Sequence, residues 1–282
     1  MFKYAQINSP MTSDDTPEKS RPEYSVPPVE RAFRLLRHIA AGNRCRNMNQ
    51  TAKDIGINRT TLIRLLATLE AERMIDAVPD GGGYRLGTGL ITLASQALNE
   101  RGLVPTARPV LRKLVEELNL SAHLGVRDGR DIVYLARETP NSHLASMVRE
   151  GTRLPAHATT IGRILLASLS NSELNELYAG HPLEAFSDKT RTSLEDLRAQ
   201  LENDRTRGIS WSVANFEPDI GSAAVTVYDN QGSAIAGINV TGHASTFSPD
   251  NPMVGRIEAT LKEAAREISE ALGYRGWGAD QM

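Results

Sequence analysis

The sequence is poor in the residues that build disulfide and metal frameworks. Among 282 residues it has one cysteine, Cys45, which excludes an internal disulfide framework and a cysteine-cluster zinc site. The six histidines lie too far apart along the chain for a metal-ligand spacing. We therefore expect neither a metal nor a cofactor.

Long apolar segments are also absent. No run approaches the roughly 20 apolar residues of a membrane-spanning helix, and the N-terminus lacks the apolar stretch of a secretory signal. We therefore expect a cytoplasmic protein without a membrane partner. The 40% of apolar residues still suffices for buried cores, and a length of 282 residues favours two domains plus a tail.

Patterns typical of enzymes are missing as well. The chain has no Gly-x-Ser-x-Gly string, and the glycines of residues 82–87 precede Thr88 where a phosphate-binding loop needs lysine. His157 precedes Thr159 and Thr160, but a lone histidine at a helix start is far more often a hydrogen-bonded structural residue than a general base. We therefore expect no enzymatic activity.

The net charge of −2 argues against a nucleic-acid binder, but the charge is unevenly distributed. Residues 24–88 carry ten basic and six acidic side chains, a formal charge of +4, whereas residues 104–282 carry 18 basic and 23 acidic ones, a charge of −5. This partition favours a polyanion-binding module joined to a domain that does not bind polyanions. Solvated surface faces produce similar numbers, so charge alone leaves both interpretations open.

Hydrophobic periodicity predicts three helices in the basic segment. Apolar residues recur every three or four positions from Val29 until Gly42 ends the helix. A short helix over about residues 49–55 has Asn49 as its predicted N-cap, and a third helix starts at Asn58. One apolar stripe of that third helix consists of Leu62, Leu65, Leu66 and Leu69.

A hairpin follows the three helices. Residues 74–78 and 84–86 are typical of two strands around a glycine-rich tip, which makes residues 24–88 a predicted winged helix-turn-helix domain. Residues 1–23 are rich in Ser, Thr, Pro and charged side chains without periodicity, and we expect a disordered tail there.

The polar face of the third helix predicts DNA binding. A solvated face of an ordinary amphipathic helix normally carries Glu and Lys pairs, whereas this face carries arginine and threonine. Arginine can bridge guanine O6 and N7, and threonine can contact a thymine methyl group. The predicted DNA-binding residues are Arg59, Thr60, Thr61 and Arg64 on the helix and Arg85 on the wing.

The remaining chain alternates between strands and helices, which indicates an α+β domain with an antiparallel sheet flanked by helices. We expect a linker helix within residues 89–103, a domain over 104–275 and a tail over 276–282. Predicted strands are 121–127, 131–137, 144–149, 209–213, 221–228 and 233–241. Predicted helices are 107–118, 159–168, 171–179 with a Ser170/Glu173 capping box, 193–206 with a Thr192/Glu195 box, and one that starts after Ser248-Pro249 and runs to Leu272.

Several strings, in order over about residues 25–275, resemble the IclR-type transcriptional regulators. The resemblance implies a GAF-like effector domain, no enzymatic activity, and homodimers that associate further into tetramers. The strings are 29–36, 57–69, 84–87, 151–163, Phe216-Glu217-Pro218 and Val240-Thr241-Gly242.

The chain departs from the family at positions where relatives touch small carboxylate ligands. This chain has Gly221-Ser222 where relatives often have Arg-Cys, and Asn239-Val240-Thr241 where they have Ser-x-Ser. It also has Ser212 at a position where an aspartate is frequent in the family. The resemblance therefore implies a polar but altered pocket. The effector-binding candidates are Ser222, Asn239, Thr241, Met147, Thr160 and His123. For Ser222, Asn239 and Thr241 the alternative is an ordinary strand residue that hydrogen-bonds within the sheet.

The favoured hypothesis is a regulator that reads a palindromic double-stranded DNA operator as a dimer and responds to a small organic or aromatic acid-like metabolite. One alternative is an enzyme that acts on a small metabolite in the C-terminal pocket and uses the N-terminal module for dimerisation. Another is a constitutive DNA-binding scaffold without a ligand. The effector, the operator and the sign of regulation stay open.

Overall fold

The computed structural model describes residues 24–99, 102–140 and 148–276. The chain divides into two compact units, with the division between Ala97 and Leu98. The expected tail over residues 1–23 and most of the expected C-terminal tail lie outside the described residues. Among the helices in the described ranges, none has both the length and the apolar character that crossing a membrane requires.

The first unit is a winged helix-turn-helix, as predicted. Its sheet has two strands, which pair antiparallel from Ile75 opposite Leu86 to Val78 opposite Gly83. The elements are α1 (Pro27–Ala40), α2 (Met48–Asp54), α3 (Arg59–Ala71), β1 (Ile75–Val78), β2 (Gly83–Leu86) and α4 (Thr88–Asn99), which contains the division between the units near its C-terminal end.

Asparagine side chains start the second and third helices of this unit. Asn47 caps α2, because its side chain accepts hydrogen bonds from the backbone N–H groups of Asn49 and Gln50. The predicted cap at Asn49 is therefore wrong by two residues, since the chain offers two asparagines and the earlier one satisfies the free N–H groups. Asn58 caps α3 by accepting the N–H of Thr61 at 2.8 Å.

The apolar stripe of α3 forms part of the core of the first unit. Leu62, Leu66 and Leu69 are buried, and Leu65 is half-buried. The spacing of three and four residues therefore places this stripe inward, as predicted. The other buried members of this core are Leu35, Ile39, Cys45, Ala52, Ile55 and Ile75.

The second unit is built on one antiparallel sheet of six strands in the order β5-β4-β3-β8-β7-β6. The strands are β3 (Ser121–Asp128), β4 (Asp131–Glu138), β5 (Arg153–Pro155), β6 (Ser210–Val213), β7 (Ile220–Tyr228) and β8 (Ala234–His243). The helices are α5 (Leu103–Leu118), α6 (Thr160–Leu166), α7 (Asn171–Tyr178), α8 (Leu194–Arg207) and α9 (Met253–Ala271), and a 3₁₀ turn covers Ala244–Phe247.

The two faces of this sheet are covered by different helices. Alternate residues such as Ile238 and Val240 join α5 and α9 in one apolar core. On the opposite face, Gly125 and Gly237 lie in register, and a methyl group on Gly237 would come within 3.0 Å of Ile161 on α6. The paired glycines therefore let α6 lie close against the sheet.

Three predictions for this unit need correction. The helix expected from residue 107 begins at Leu103, because proline at position 105 falls in a first turn whose N–H groups have no partner in the helix. Ser193, not Thr192, caps α8, because the side chain of Ser193 accepts the N–H of Asp196. Most of the strand expected over 144–149 lies outside the described residues, residues 148 and 149 are not in a strand, and β5 was not predicted.

A pair of substitutions on α3 tests this packing. We expect Leu66→Ala to destabilise the first unit by about 2–5 kcal/mol, because it leaves a cavity in a core where Leu66 is 2% exposed. The matched change Ile63→Ala, at a side chain that is 46% exposed, should cost about 1 kcal/mol or less. Amide hydrogen exchange of peptides from α1 and α3 measures the stability of the first unit in both variants. Equal losses of stability would contradict the assignment of Leu66 to the buried face of α3 and of Ile63 to the exposed face.

Candidate functional site

One exposed surface of α3 carries the polar residues predicted to bind DNA. Arg59, Thr60 and Arg64 are exposed, and Thr61 is half-buried. No acidic side chain occurs in this helix before Glu70. Guanidinium and hydroxyl groups on one face match the hydrogen-bonding groups of a DNA major groove. The structure therefore brings the four predicted residues of α3 together.

A cleft of about 320 Å³ lies beside the N-terminus of α3. The positive end of the helix dipole and two cations favour an anion there, as phosphate groups of DNA provide. These cations, Arg31 and Lys53, were not predicted, although their charges contribute to the excess of the basic segment. The lining residues are Arg31, Ala52, Lys53, Gly56, Ile57, Asn58 and Thr61.

Arg85, the predicted wing residue, lies on the hairpin opposite Asp76. The distance between Arg85 Nε and Asp76 Oδ2 is 3.5 Å, and the arginine side chain is 69% exposed. An exposed pair of this kind is weak, so the guanidinium group remains available to another anion. The placement fits a contact with a neighbouring phosphate.

Four of the predicted effector residues form one hydrogen-bonded group in the second unit. The hydroxyl oxygens of Thr160 and Ser222 are 2.7 Å apart. Asn239 Nδ2 donates to Ser222 Oγ at 3.0 Å and to Thr241 Oγ1 at 3.2 Å. The hydroxyl of Thr241 donates to Ser222 Oγ at 3.4 Å. The group therefore joins α6 to β7 and β8.

His123 extends this group to β3. Its Nδ1 atom is 2.9 Å from Asn239 Oδ1, and its ring meets Tyr134 edge-on with centroids 5.6 Å apart. The side chain is 1% exposed, and burial lowers the pKa of His123 to about 4, so the imidazole is neutral at pH 7. We refer to His123, Thr160, Ser222, Asn239 and Thr241 as the polar cluster.

Strand register explains why distant residues meet in the polar cluster. His123 is paired with Asn239, and Ser222 is paired with Thr241. Because alternate residues of a strand point to the same face, Asn239 and Thr241 share the face on which α6 lies. The sixth predicted effector residue, Met147, lies outside the described residues.

A buried arginine ties α6 to its neighbours. Arg163 Nε lies 3.1 Å from Asp204 Oδ2 on α8, and both side chains are almost completely buried. The guanidinium group also donates to Ser210 Oγ on β6 at 2.7 Å and to the carbonyl of Trp211 at 2.6 Å. This ion pair was not predicted, because the partners lie 41 positions apart and no local pattern signals the pairing.

The segment between β6 and β7 is fixed beside the polar cluster. Ser212, 7% exposed, is paired with Ser222 and shares its face. The Ser187 hydroxyl lies 2.8 Å from the carbonyl oxygens of both Ala214 and Asn215. These contacts hold the loop that follows Ser212. The family resemblance points to Ser212, whereas no sequence pattern points to Ser187.

The described residues include no group of three or more His, Cys, Asp or Glu side chains that could hold a metal ion. The polar cluster instead consists of neutral hydroxyl, amide and imidazole groups. Such groups can donate hydrogen bonds to an organic ligand and accept hydrogen bonds from it.

Comparison with known proteins identifies the family. The sequence profile described as "Bacterial transcriptional regulator IclR C-terminal" matches residues 95–270, more than half of the chain. The profile described as "IclR helix-turn-helix domain" matches residues 28–79. The chain belongs to the IclR family of transcriptional regulators. The resemblance inferred from sequence strings is therefore confirmed, together with the helix-turn-helix and α+β fold class.

Individual relatives of this IclR-family chain agree with the assignment. It is 30% identical over 246 residues to the HTH-type transcriptional regulator XynR of Escherichia coli, covering 87% of this chain and 97% of that protein. A transcriptional regulator structure from Rhodococcus sp. RHA1 has a TM-score of 0.77 at 27% identity and covers 88% of this chain and 98% of that chain. These relatives are named as regulators, not as enzymes.

A further structural neighbour shares the fold at lower identity. It is an IclR homolog from Microbacterium hydrocarbonoxydans complexed with 4-hydroxybenzoate, with a TM-score of 0.77 and 22% identity. The match covers 87% of this chain and 98% of that chain.

The low pKa of His123 predicts how stability depends on pH. Between pH 6.5, the ordinary histidine pKa, and pH 4 the unfolded chain binds a proton that the folded chain does not. The free energy of unfolding should therefore fall as the pH drops through this window, with roughly 3 kcal/mol attributable to His123. Denaturant unfolding at several pH values measures it.

The variant His123→Gln provides the comparison, because glutamine has no proton to gain. His157, whose pKa burial also lowers, remains in both proteins and contributes equally to the two slopes. Identical pH slopes for the two proteins would show that His123 does not titrate as expected.

Proposed function

We propose that this chain is a regulator that binds a palindromic operator as a dimer and responds to a small organic metabolite. Residues 24–88 bind DNA, residues 89–103 link the domains, and residues 104–275 bind the effector. The observation that carries the ligand response is the uncharged polar cluster on the sheet face below α6, in which His123, Thr160 and Asn239 are buried and Ser222 and Thr241 half-buried. Because a bacterial operator is DNA in the cytoplasm, we place the protein there.

The exposed face of α3 is the part proposed to enter the major groove. Arg64 lies two residues before the buried Leu66 but on the opposite side, where its guanidinium group can reach base edges. Arg59, Thr60 and Thr61 follow the same surface toward the N-terminus. The cleft with Arg31 and Lys53 takes a backbone phosphate, and Arg85 contacts a second one.

Exposed apolar side chains support a second copy of this chain as partner. On α1, Val29 and Phe33 are 50% and 54% exposed and lie one turn apart. On α4, Ile91 and Leu93 are 65% and 53% exposed. Apolar residues in this number on helices of one small unit favour burial against another protein. A two-fold dimer also matches the two half-sites of a palindromic operator.

The polar cluster is proposed as the effector site. Its members come from α6, β3, β7 and β8, so a ligand that contacts them bridges separate elements. A family neighbour that carries 4-hydroxybenzoate supports a small organic acid as the kind of ligand. Binding would change operator affinity if the ligand prefers one of two arrangements of the dimer, with a typical coupling of about 1–3 kcal/mol.

Substitution of Arg64 tests the DNA-binding surface. We expect Arg64→Ala to weaken operator binding by about 1–3 kcal/mol and to leave the fold intact, because the side chain is exposed. The operator is first selected from random DNA with the unmodified protein, and affinity is then measured by gel-shift titration at fixed salt.

Arg275→Ala is the control, because it removes the same charge from an exposed position in the other unit. Its operator affinity should match that of the unmodified protein. If Arg64→Ala binds the operator with unchanged affinity, α3 is not the helix that contacts the bases. Equal losses of operator affinity in both variants would indicate a general charge effect.

A double substitution in the polar cluster tests the effector site. A thermal-shift screen of small organic and aromatic acids, 4-hydroxybenzoate included, first identifies a ligand, which at 100 times its Kd should stabilise the protein by about 2.7 kcal/mol. Asn239→Ala/Thr241→Val should lose most of that stabilisation and most of the operator response at limiting ligand. Two polar contacts of about 1 kcal/mol each are removed.

Without ligand, the double variant should bind the operator as the unmodified protein does. Thr226→Val, a half-buried position on β7, is a matched control outside the polar cluster. A ligand response of the double variant that superimposes on that of the unmodified protein would place the effector elsewhere.

A further inference from the structure

The His123 imidazole contains a buried polar atom without a hydrogen-bond partner. Its Nε2 atom has almost no solvent exposure, and no donor or acceptor lies within bonding distance of it in the part of the chain described. Buried polar atoms in proteins are nearly always paired, since leaving one unpaired is unfavourable. An unpaired one in the polar cluster therefore indicates a partner that arrives from outside.

The hydrogen-bond pattern of Asn239 determines whether that partner is a donor or an acceptor. The Asn239 amide group has two hydrogens, and Nδ2 has two acceptors, the hydroxyl oxygens of Ser222 and Thr241. If the amide were reversed, Nδ2 would face only His123, and one buried N–H group would have no acceptor. Because the observed orientation satisfies both hydrogens, Oδ1 faces His123, and His123 Nδ1 carries the hydrogen.

The remaining nitrogen of the ring is consequently an acceptor. A neutral imidazole has one N–H group, and in His123 it is at Nδ1, so Nε2 has a lone pair. Protonation does not supply the missing hydrogen at pH 7, because burial and the nearby charge of Arg137 lower the pKa of His123 to about 4. Only a donor from a bound molecule can satisfy Nε2 without charging the ring.

The other end of the polar cluster has a spare hydrogen. The hydroxyls of Thr160 and Ser222 share one hydrogen bond, which uses one of their two hydrogens. Ser222 Oγ already accepts from Asn239 and Thr241, so both of its lone pairs are occupied. The Ser222 hydrogen therefore points to Thr160, and the Thr160 hydroxyl is left with a hydrogen to donate.

We propose that the effector presents a hydroxyl group that donates its hydrogen to His123 Nε2, and an oxygen that accepts from the Thr160 hydroxyl. The inference rests on the proposed function, in which the polar cluster is the effector site. The ligand class at the His123 end is accordingly an alcohol or a phenol. A carboxylate there would place its lone pairs against the lone pair of Nε2.

The first test measures the hydrogen on the ring without any ligand. The intact protein is labelled with ¹⁵N-histidine, and imidazole nitrogen resonances are recorded at pH 7, with the His123 signals assigned from the variant His123→Gln. We expect a protonated Nδ1 and an unprotonated Nε2. A protonated Nε2 would overturn the proposal.

The second test compares matched probes. Phenol and cyclohexanol each supply a hydroxyl, whereas their methyl ethers, anisole and methoxycyclohexane, keep the ring and oxygen but lack the donor. We expect at least one hydroxyl probe to shift the His123 Nε2 resonance and to bind about tenfold or more tightly than its ether, as one buried hydrogen bond contributes. His157, whose Nε2 faces the carbonyl of Glu184 at 2.9 Å, should not respond.

The remaining outcomes separate this proposal from the proposed function. The proposal that the effector donates a hydroxyl hydrogen to His123 would be overturned by equal affinities for an alcohol and its ether. It would also be overturned if no hydroxyl probe shifted the His123 resonances. Benzoate that binds and protonates His123 would overturn it as well while leaving the polar cluster as the effector site. The effector site itself fails only if Asn239→Ala/Thr241→Val keeps the full operator response.

Discussion

The buried ion pair between Arg163 and Asp204 is the interaction on which the geometry of the polar cluster depends. Helix α6 has seven residues, too short to be stable by itself, so contacts with its neighbours hold it. Arg163 lies one turn after Thr160 and reaches both α8 and β6. A guanidinium group removed from water is unfavourable unless it is paired, so the arrangement persists only while these contacts are complete.

The two faces of the large sheet differ in the polarity of their side chains. The face toward α5 and α9 is packed with aliphatic side chains, whose burial stabilises the second unit. The face toward α6 is apolar where Ile161 lies on the glycine pair and polar where Thr160 meets Ser222. Both sides of the sheet therefore have an apolar core, and the polar cluster lies only on the side toward α6.

Local patterns predicted most elements, because periodicity and capping operate over a few residues. The leucine stripe of α3 and the Ser170/Glu173 capping box follow from spacing alone, and the structure confirms both. The family resemblance, and no local pattern, points to Ser222, Asn239 and Thr241, because their meeting depends on strand register and on the packing of α6. Arg163 escaped prediction for the same reason, as its partners are distant along the chain. The unpaired Nε2 atom of His123 also escapes prediction, because it depends on which side chains surround the ring in three dimensions.

The contrast between the glycines and the polar cluster has an evolutionary consequence. Any side chain on Gly162 would begin 2.0 Å from the carbonyl oxygen of Ala156, so this position does not tolerate substitution without moving α6. Residues 222, 239 and 241, by comparison, lie within regular strands, where the backbone conformation accepts any side chain except proline. If the polar cluster binds the effector, as proposed, a duplicated copy of the gene could acquire response to a new metabolite through a few point mutations in it, while the framework around Gly162 stays constant.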